Sequence, residues 1–165
     1  MNIRLAKSDD LESIIDMYKE AVDDLLNVKN IDILWDDEYP FCYIKDDILD
    51  GRLYIMIVDD KIVGGFVIEN EVDPDYKKLE WTNNDNFFYI SRLVVRPSEQ
   101  GKGYANFMLK FIESYAVNND FSSIRLGVAD VNKSAIKLYE KFNFKRVNGY
   151  IEWDGNIFLG YERII

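Results

Sequence analysis

Histidine is absent from the 165-residue chain, and cysteine occurs once, as Cys42. Without histidine the chain can form neither a Ser-His-Asp nor a Cys-His catalytic triad, and the common histidine-based zinc sites are excluded as well. A single cysteine cannot make an internal disulfide, which favours a reducing compartment. We therefore expect Cys42 to be a buried or incidental thiol, and we expect no bound metal.

Long apolar runs and positive charge are also scarce. No run approaches the ~20 apolar residues that cross a bilayer, and Met1–Leu5 lacks the basic and apolar regions of a secretory signal. Acidic side chains number 30 against 20 basic ones, for a formal net charge of -10. Such a surface repels phosphate backbones and anionic lipids. We expect a soluble, cytoplasmic protein that binds neither nucleic acid nor membranes.

Apolar residues, by contrast, make up 48% of the chain, enough for a packed core in one domain covering residues 1–165. Their periodicity predicts four helices, which follow Ser8, Pro40, the glycine pair near residue 102, and Asn132. Ser8 and Asn132 are the predicted N-caps. Predicted strands lie at 2–6, 53–58, 61–68, 87–95, 124–128, 145–153 and 157–164. This order predicts an α/β (α+β) fold with a mixed sheet of about seven strands and about four flanking helices.

Two of the nine glycines lie within three residues of each other, in the segment Gln100–Ala105. The segment follows the apolar run Leu93–Val95 and precedes an amphipathic helical pattern. Glycines let a backbone approach a ligand closely, and the first turn of a helix offers unpaired N–H groups at a positive dipole end. The segment therefore predicts a pyrophosphate site, although a plain strand-to-helix turn is the alternative reading.

A second pattern runs from Asn132 through Ala135, Leu138 and Tyr139 to Phe144. Together with the segment Leu93–Ala105 it resembles the acyl-CoA signature and the later motif of the GNAT N-acetyltransferase superfamily, in the family's order. The resemblance covers nearly the whole chain and implies the GNAT fold, with acetyl-CoA as cofactor. Residues 69–86 carry nothing diagnostic and read as an irregular insertion or extended hairpin that Trp81 attaches to the body.

The resemblance also implies roles for individual residues. Backbone groups of the strand before the loop bind the pantetheine arm, the N–H of Val94 stabilises the thioester oxygen as it gains charge, and the loop amides hold the pyrophosphate. Lys102 is either a cation beside a phosphate or a solvated lysine, and Asn132 is a helix cap or a cofactor contact. Tyr139 is the implied acid for the leaving thiolate. The implied cofactor-binding residues are Leu93, Val94, Val95, Gln100, Gly101, Lys102, Gly103, Tyr104, Ala105 and Asn132.

Two departures from the family pattern matter. Asn143 stands where relatives generally have the glycine that ends the helix, and asparagine tolerates the left-handed conformation needed there. In the strand 87–95, where many relatives carry an acid, this chain has Tyr89, Ser91 and Arg92. The general base is therefore unassigned: it could be a water chain or one of the carboxylates Asp36, Asp37, Glu38 and Glu69.

Two hypotheses follow. In the first, the protein transfers an acetyl group from acetyl-CoA to a primary amine of a small molecule or peptide, by direct attack in a ternary complex. In the second, the chain is a catalytically silent acyl-CoA-binding regulatory module that has lost its base. The acidic and aromatic segment 35–43 favours a cationic acceptor or, alternatively, a dimer contact, so both a monomer and a homodimer are possible.

Overall fold

A computed structural model describes all 165 residues, and they form two compact units. The first unit comprises Met1–Ile68 and Arg92–Phe111, and the second comprises Glu69–Ser91 and Ile112–Ile165. None of the helices combines the length and the apolar character needed to span a bilayer.

The helices are α1 (Leu11–Asp23), α2 (Phe41–Leu49), α3 (Tyr104–Asn118) and α4 (Lys133–Lys141). The strands are β1 (Asn2–Leu5), β2 (Leu53–Val58), β3 (Lys61–Glu69), β4 (Phe87–Val95), β5 (Ser123–Ala129), β6 (Lys145–Arg146), β7 (Ile151–Trp153) and β8 (Asn156–Ile164). Strand β4 and helix α3 each contribute residues to both units.

Strand pairing confirms the mixed sheet. In the first unit the order is β1-β2-β3-β4, and in the second it is β4-β5-β8-β6, with β7 also paired to β8. The β4–β5 pair is parallel and runs only from Phe87–Tyr89, opposite Ser123–Arg125. The sheet has eight strands rather than about seven, because the predicted strand 145–153 is interrupted by Gly149, whose φ is +89°.

Most predicted helix boundaries are confirmed, and one is wrong. Helix α2 begins after Pro40 and ends before Gly51, as the sequence predicts. Ser8, however, is not the N-cap of α1 but begins a short 3-10 turn, Ser8–Asp10. Asp10 stabilises that turn, because its carboxylate accepts the backbone N–H of Lys7 at 2.7 Å and pairs with Arg4. The Asp10 carboxylate thus closes the capping box of the 3-10 turn, whereas no side chain caps α1 itself.

The core of the first unit lies between α1, α2 and strands β2 to β4. Its fully buried members include Ile14 and Met17 of α1, Ile44 of α2 and Ile55 of β2. Strands β3 and β4 approach each other closely at Gly64, where an added Cβ would lie 2.8 Å from the carbonyl oxygen of Val94. Any side chain at Gly64 would therefore displace the second half of β4.

In the second unit a buried arginine ties the insertion 69–86 to the sheet. The Arg125 side chain is 2% exposed, and its Nε lies 3.1 Å from the equally buried carboxylate of Glu162. Its guanidinium carbon lies 3.6 Å from the ring centroid of Phe87 and 4.7 Å from that of Trp81. Trp81 also donates from Nε1 to the carbonyl of Tyr76 at 3.0 Å. The predicted anchoring role of Trp81 is confirmed.

Replacing Arg125 by methionine should lower the free energy of unfolding by about 3–5 kcal/mol, because Glu162 is left buried without its cation. Urea denaturation followed by tryptophan fluorescence measures the loss. Arg146→Met, an exposed arginine on β6, is the control and should change stability by less than ~0.5 kcal/mol. Equal small effects of both substitutions would show that Arg125 does not hold the insertion.

Candidate active site

The glycine loop between β4 and α3 has the backbone conformation that its two glycines permit. Gly101 and Gly103 have φ values of +78° and +84°, in the left-handed region that other residues rarely adopt. A Cβ built on either glycine meets no heavy atom within 4 Å. The space in front of both residues is therefore open, and a bulky anion can reach the backbone there.

Apart from the N–H of Gln100, which donates to the carbonyl of Pro97 at 3.3 Å, the amides of this loop and of the first turn of α3 make no backbone hydrogen bond. The N–H groups of residues 101–106 donate to no backbone oxygen. The next N–H along the chain, that of Phe107, donates to the carbonyl of Gly103 at 3.1 Å. Unpaired amides at a helix N-terminus point outward along the positive end of the dipole. Open space, unpaired N–H groups and glycine geometry together fit a pyrophosphate.

Two lysines lie at the loop. Lys102 pairs with Glu99 at 2.8 Å, and this hydrogen bond raises the pKa of the exposed lysine. Lys29 reaches the loop from the other end of the sequence and donates to Oε1 of Gln100 at 3.0 Å. Sequence spacing gave no sign of Lys29, which follows the π-helical extension of α1, Asp24–Val28. A phosphate at the loop would have two cations within reach, and each is already paired with a carboxylate, Lys102 with Glu99 and Lys29 with Asp24 at 2.5 Å.

The second half of β4 presents alternate backbone groups to its two sides. The Arg96 N–H donates to the carbonyl of Val63 in β3 at 2.8 Å, and the Val94 carbonyl lies against Gly64 of β3. The Val95 carbonyl instead accepts from the side chain of Gln100 at 3.2 Å. Because successive N–H and C=O groups alternate along a strand, the N–H of Val94 faces β3, while those of Leu93 and Val95 face the opposite edge.

This orientation corrects one implied role. The N–H of Val94 is directed at β3 and is not offered to a ligand, so it does not suit an oxyanion. The N–H of Leu93 faces the opposite edge of the strand. The sequence does not show this orientation, because it follows from the contacts of Val94 and Arg96 with β3. The backbone of β4 is also irregular one residue before Leu93.

That irregularity is at Arg92, which has a φ of +51° inside β4. A left-handed conformation costs a residue with a Cβ roughly 1–2 kcal/mol, so surrounding contacts must hold it. Next to it, the Oγ of Ser91 is buried and has no hydrogen-bond partner in the chain. A buried orphan hydroxyl and a strained residue side by side are typical of a functional site. Neither is visible as a sequence signal.

Tyr139 lies in the second unit as the one buried residue of α4. Its ring packs edge-on against Phe144 with centroids 5.7 Å apart. Burial alone raises the pKa of its phenol to about 12. The hydroxyl therefore keeps its proton throughout the neutral range.

The raised pKa of Tyr139 has a measurable consequence at alkaline pH. A tyrosine in the unfolded chain loses its proton near pH ~10, whereas the folded Tyr139 holds it to about pH 12. The stability that the protonated phenol of Tyr139 contributes is therefore complete below pH ~10 and is lost as the pH rises through 12. Between these pH values the free energy of unfolding of the wild type should therefore fall by about 2 kcal/mol more than that of Tyr139→Phe. Urea titrations at pH 9 and pH 12 would test this, and equal losses would contradict it.

Asn132 acts as the N-cap of α4, as predicted: its Oδ1 accepts the N–H of Ala135 at 3.2 Å and the hydroxyl of Ser134 at 3.1 Å. At the other end of the helix, Asn143 adopts a φ of +61°, confirming that asparagine replaces the glycine of the motif. The oxygen of Asn132 is thus committed to the helix, which leaves its NH₂ group for any cofactor contact.

The candidate general bases differ in their exposure and in their hydrogen bonds. Asp36 accepts the backbone N–H groups of Tyr39 and Glu38 at 2.9 and 2.7 Å, which lowers the pKa of its carboxyl and makes it a poor base. Asp37 and Glu38 are exposed, whereas Glu69 is buried at the end of β3. At the position of the missing acid, the Tyr89 hydroxyl lies 3.3 Å from Arg125. Cys42 is exposed, contrary to the buried alternative, and partial desolvation of its sulfur together with nearby Glu38 raises the pKa of the thiol.

The family model for the acetyltransferase (GNAT) family matches residues 14–144. The chain therefore belongs to the GNAT acetyltransferase family. Members of this family use acetyl-CoA, in agreement with the geometry of the Gln100–Ala105 loop. The fold and family predictions from the sequence are thereby confirmed.

The chain is also similar to individual proteins. N-acetylaspartate synthetase of Xenopus tropicalis is 31% identical over 67% of this chain, and the match spans 40% of that protein's length. A putative acetyltransferase of Staphylococcus aureus Mu50 is 25% identical with a TM-score of 0.75, covering 99% of both chains. A GNAT-family acetyltransferase of Streptococcus agalactiae has a TM-score of 0.83 at 20% identity, covering 99% of this chain and 95% of its own. The last comparison concerns the fold alone.

Proposed function

We propose that residues 1–165 act as one N-acetyltransferase domain that moves an acetyl group from acetyl-CoA to a primary amine of a small molecule or peptide. The observation that carries the proposal is the loop Gln100–Ala105, with two left-handed glycines, open space before them and unused amides. The relative that forms N-acetylaspartate by name supports an amine nitrogen as the acceptor. We further propose a cytoplasmic location.

The cofactor would be held at three places. The amides of Gly101, Gly103, Tyr104 and Ala105 bind the pyrophosphate, with Lys102 or Lys29 adding positive charge. Backbone groups of Val95 that face away from β3 bind the pantetheine arm, after the Gln100 side chain releases the Val95 carbonyl. The NH₂ group of Asn132 contributes a further hydrogen bond. No step of this binding requires a metal ion.

Acetyl-CoA supplies a thioester whose acetyl carbon becomes bonded to the amine nitrogen as the carbon–sulfur bond breaks. The N–H of Leu93 donates a hydrogen bond to the carbonyl oxygen, which gains charge during the transfer. Tyr139 holds a proton for the leaving sulfur because burial keeps its phenol neutral. The acceptor must be an uncharged amine when it attacks, and the proton it releases passes either to a water chain or to one of the candidate carboxylates.

The silent-module hypothesis remains the second candidate, because the structure supplies no free carboxylate on β4. Tyr89 packs among aromatic rings and Arg92 is ion-paired with Asp47. A module of this kind would bind acetyl-CoA but leave the thioester intact with every amine.

Thiol release from acetyl-CoA separates the two functions. We expect turnover with at least one member of a panel of amino acids, polyamines, aminoglycosides and N-terminal peptides, and mass spectrometry should show the acetylated amine. Turnover should rise with pH as the acceptor amine loses its proton. Tight binding of acetyl-CoA with no turnover across the panel would favour the silent module.

A further inference from the structure

The left-handed residue Arg92 directly precedes Leu93, whose N–H faces the open edge of β4. The carbonyl of Arg92 and the N–H of Leu93 belong to one planar peptide group. A change in the backbone conformation of Arg92 would therefore rotate the N–H of Leu93 with it. The direction of the proposed oxyanion donor therefore depends on the conformation of one arginine.

Helix α1 holds the backbone of that arginine. The hydroxyl of Tyr18 donates to the carbonyl oxygen of Arg92 at 2.7 Å, and Tyr18 is completely buried. Burial raises the pKa of this phenol, so it remains a donor at every working pH. A buried hydrogen bond to this carbonyl opposes rotation of the peptide plane between Arg92 and Leu93, which is the plane that carries the Leu93 N–H.

Helix α2 holds the side chain. Nη2 of Arg92 lies 3.1 Å from Oδ1 and 2.9 Å from Oδ2 of Asp47, whose side chain is fully buried. Arg52 approaches the same carboxylate at 3.2 Å, and the Arg92 guanidinium lies 5.4 Å from the ring centroid of Tyr43. Backbone and side chain of the strained residue are thus fixed by two different helices.

We propose that Tyr18 and Asp47 are positioning residues that hold Arg92 in its left-handed conformation and thereby direct the Leu93 N–H to the thioester oxygen. This inference rests on the proposed function, because it assigns a task to that reaction's oxyanion donor. Neither residue needs to touch the substrate. Their contribution should appear in the acetyl-transfer step and in recognition of the acetyl carbonyl, but not in binding of the CoA portion.

Tyr18→Phe tests the backbone contact, since it removes one hydroxyl and keeps the ring. We expect kcat to fall by about tenfold or more, because a misdirected oxyanion donor loses part of the 10²–10³-fold effect such donors have. The affinity for CoA, measured by calorimetry, should stay within about twofold of the wild-type value. The affinity for acetyl-CoA, which also has the thioester carbonyl, should fall at least threefold more than the affinity for CoA. Tyr161→Phe, which removes a hydroxyl bonded to Glu140 at 3.2 Å, is the matched control and should leave all three values unchanged.

Asp47→Asn tests the side-chain contact independently and covers the case in which Tyr18→Phe does not fold. The same split between CoA and acetyl-CoA would support the inference. A folded variant with wild-type kcat and an unchanged affinity ratio would overturn it, as would equal weakening of both ligands, which indicates a purely structural role. Failure of the wild type to bind either ligand would instead overturn the proposed function and this inference with it.

Discussion

We expect Gly103→Glu to lower the affinity for acetyl-CoA by at least a hundredfold. A glutamate at a φ of +84° is strained, and its carboxylate would enter the open space that the structure leaves in front of the loop. The strain costs roughly 1–2 kcal/mol. Repulsion between this carboxylate and the pyrophosphate, together with the volume of the side chain, supplies the rest. Isothermal titration calorimetry with acetyl-CoA measures the effect.

A second glycine provides the control for strain. Gly155 has a φ of +77° in the β7–β8 turn, and an added Cβ there also meets nothing within 4 Å. Gly155→Glu should therefore lose a similar amount of stability and bind acetyl-CoA as the wild type does. An unchanged affinity in folded Gly103→Glu would show that the pyrophosphate binds elsewhere.

Tyr139→Phe should lower kcat by about 10²–10⁴-fold, the range that positioned general acids contribute, and leave acetyl-CoA affinity within about twofold. Phenylalanine preserves the packing against Phe144 and removes only the hydroxyl that holds the proton. Steady-state thiol release gives kcat, and calorimetry on the same preparation gives the affinity. The two measurements separate loss of the transfer step from loss of binding.

The leaving group offers a sharper test of the same residue. If Tyr139 protonates the sulfur, an acetyl thioester whose thiol is more acidic needs less help, so the variant should lose less activity with it. Tyr161→Phe again serves as the control. A loss of kcat in Tyr139→Phe that is identical for both thioesters would contradict the proton-donor role and leave Tyr139 a packing residue.

The backbone conformation of the glycine loop and the two ends of α4 could be predicted because their chemistry is local. Gly101 and Gly103 suit the positive φ of their own backbone, and Asn132 caps the helix that begins at the next residue. Asn143 is a similar case, since a left-handed stop requires only its own side chain. The roles of these residues depend only on their neighbours in the sequence.

The rest depends on contacts between distant segments. Arg92 is separated from Asp47 by 45 residues and from Tyr18 by 74, and only the folded chain brings them together. The oxyanion role of Val94 was implied by the family resemblance, and only the contacts of β4 with β3 in the folded chain show that its N–H faces β3. Lys29 at the loop, 71 residues from Gln100, was missed for the same reason.

The most direct test of the central claim is a pair of titrations of the wild-type protein, one with acetyl-CoA and one with S-acetylpantetheine, which has the thioester but no pyrophosphate. We predict that acetyl-CoA binds with a single site and that S-acetylpantetheine binds at least a hundredfold more weakly, because the amides after Gly101 have no anion to hold. Equal affinities for the two compounds, or no binding of acetyl-CoA, would contradict the assignment of Gln100–Ala105 as the pyrophosphate site.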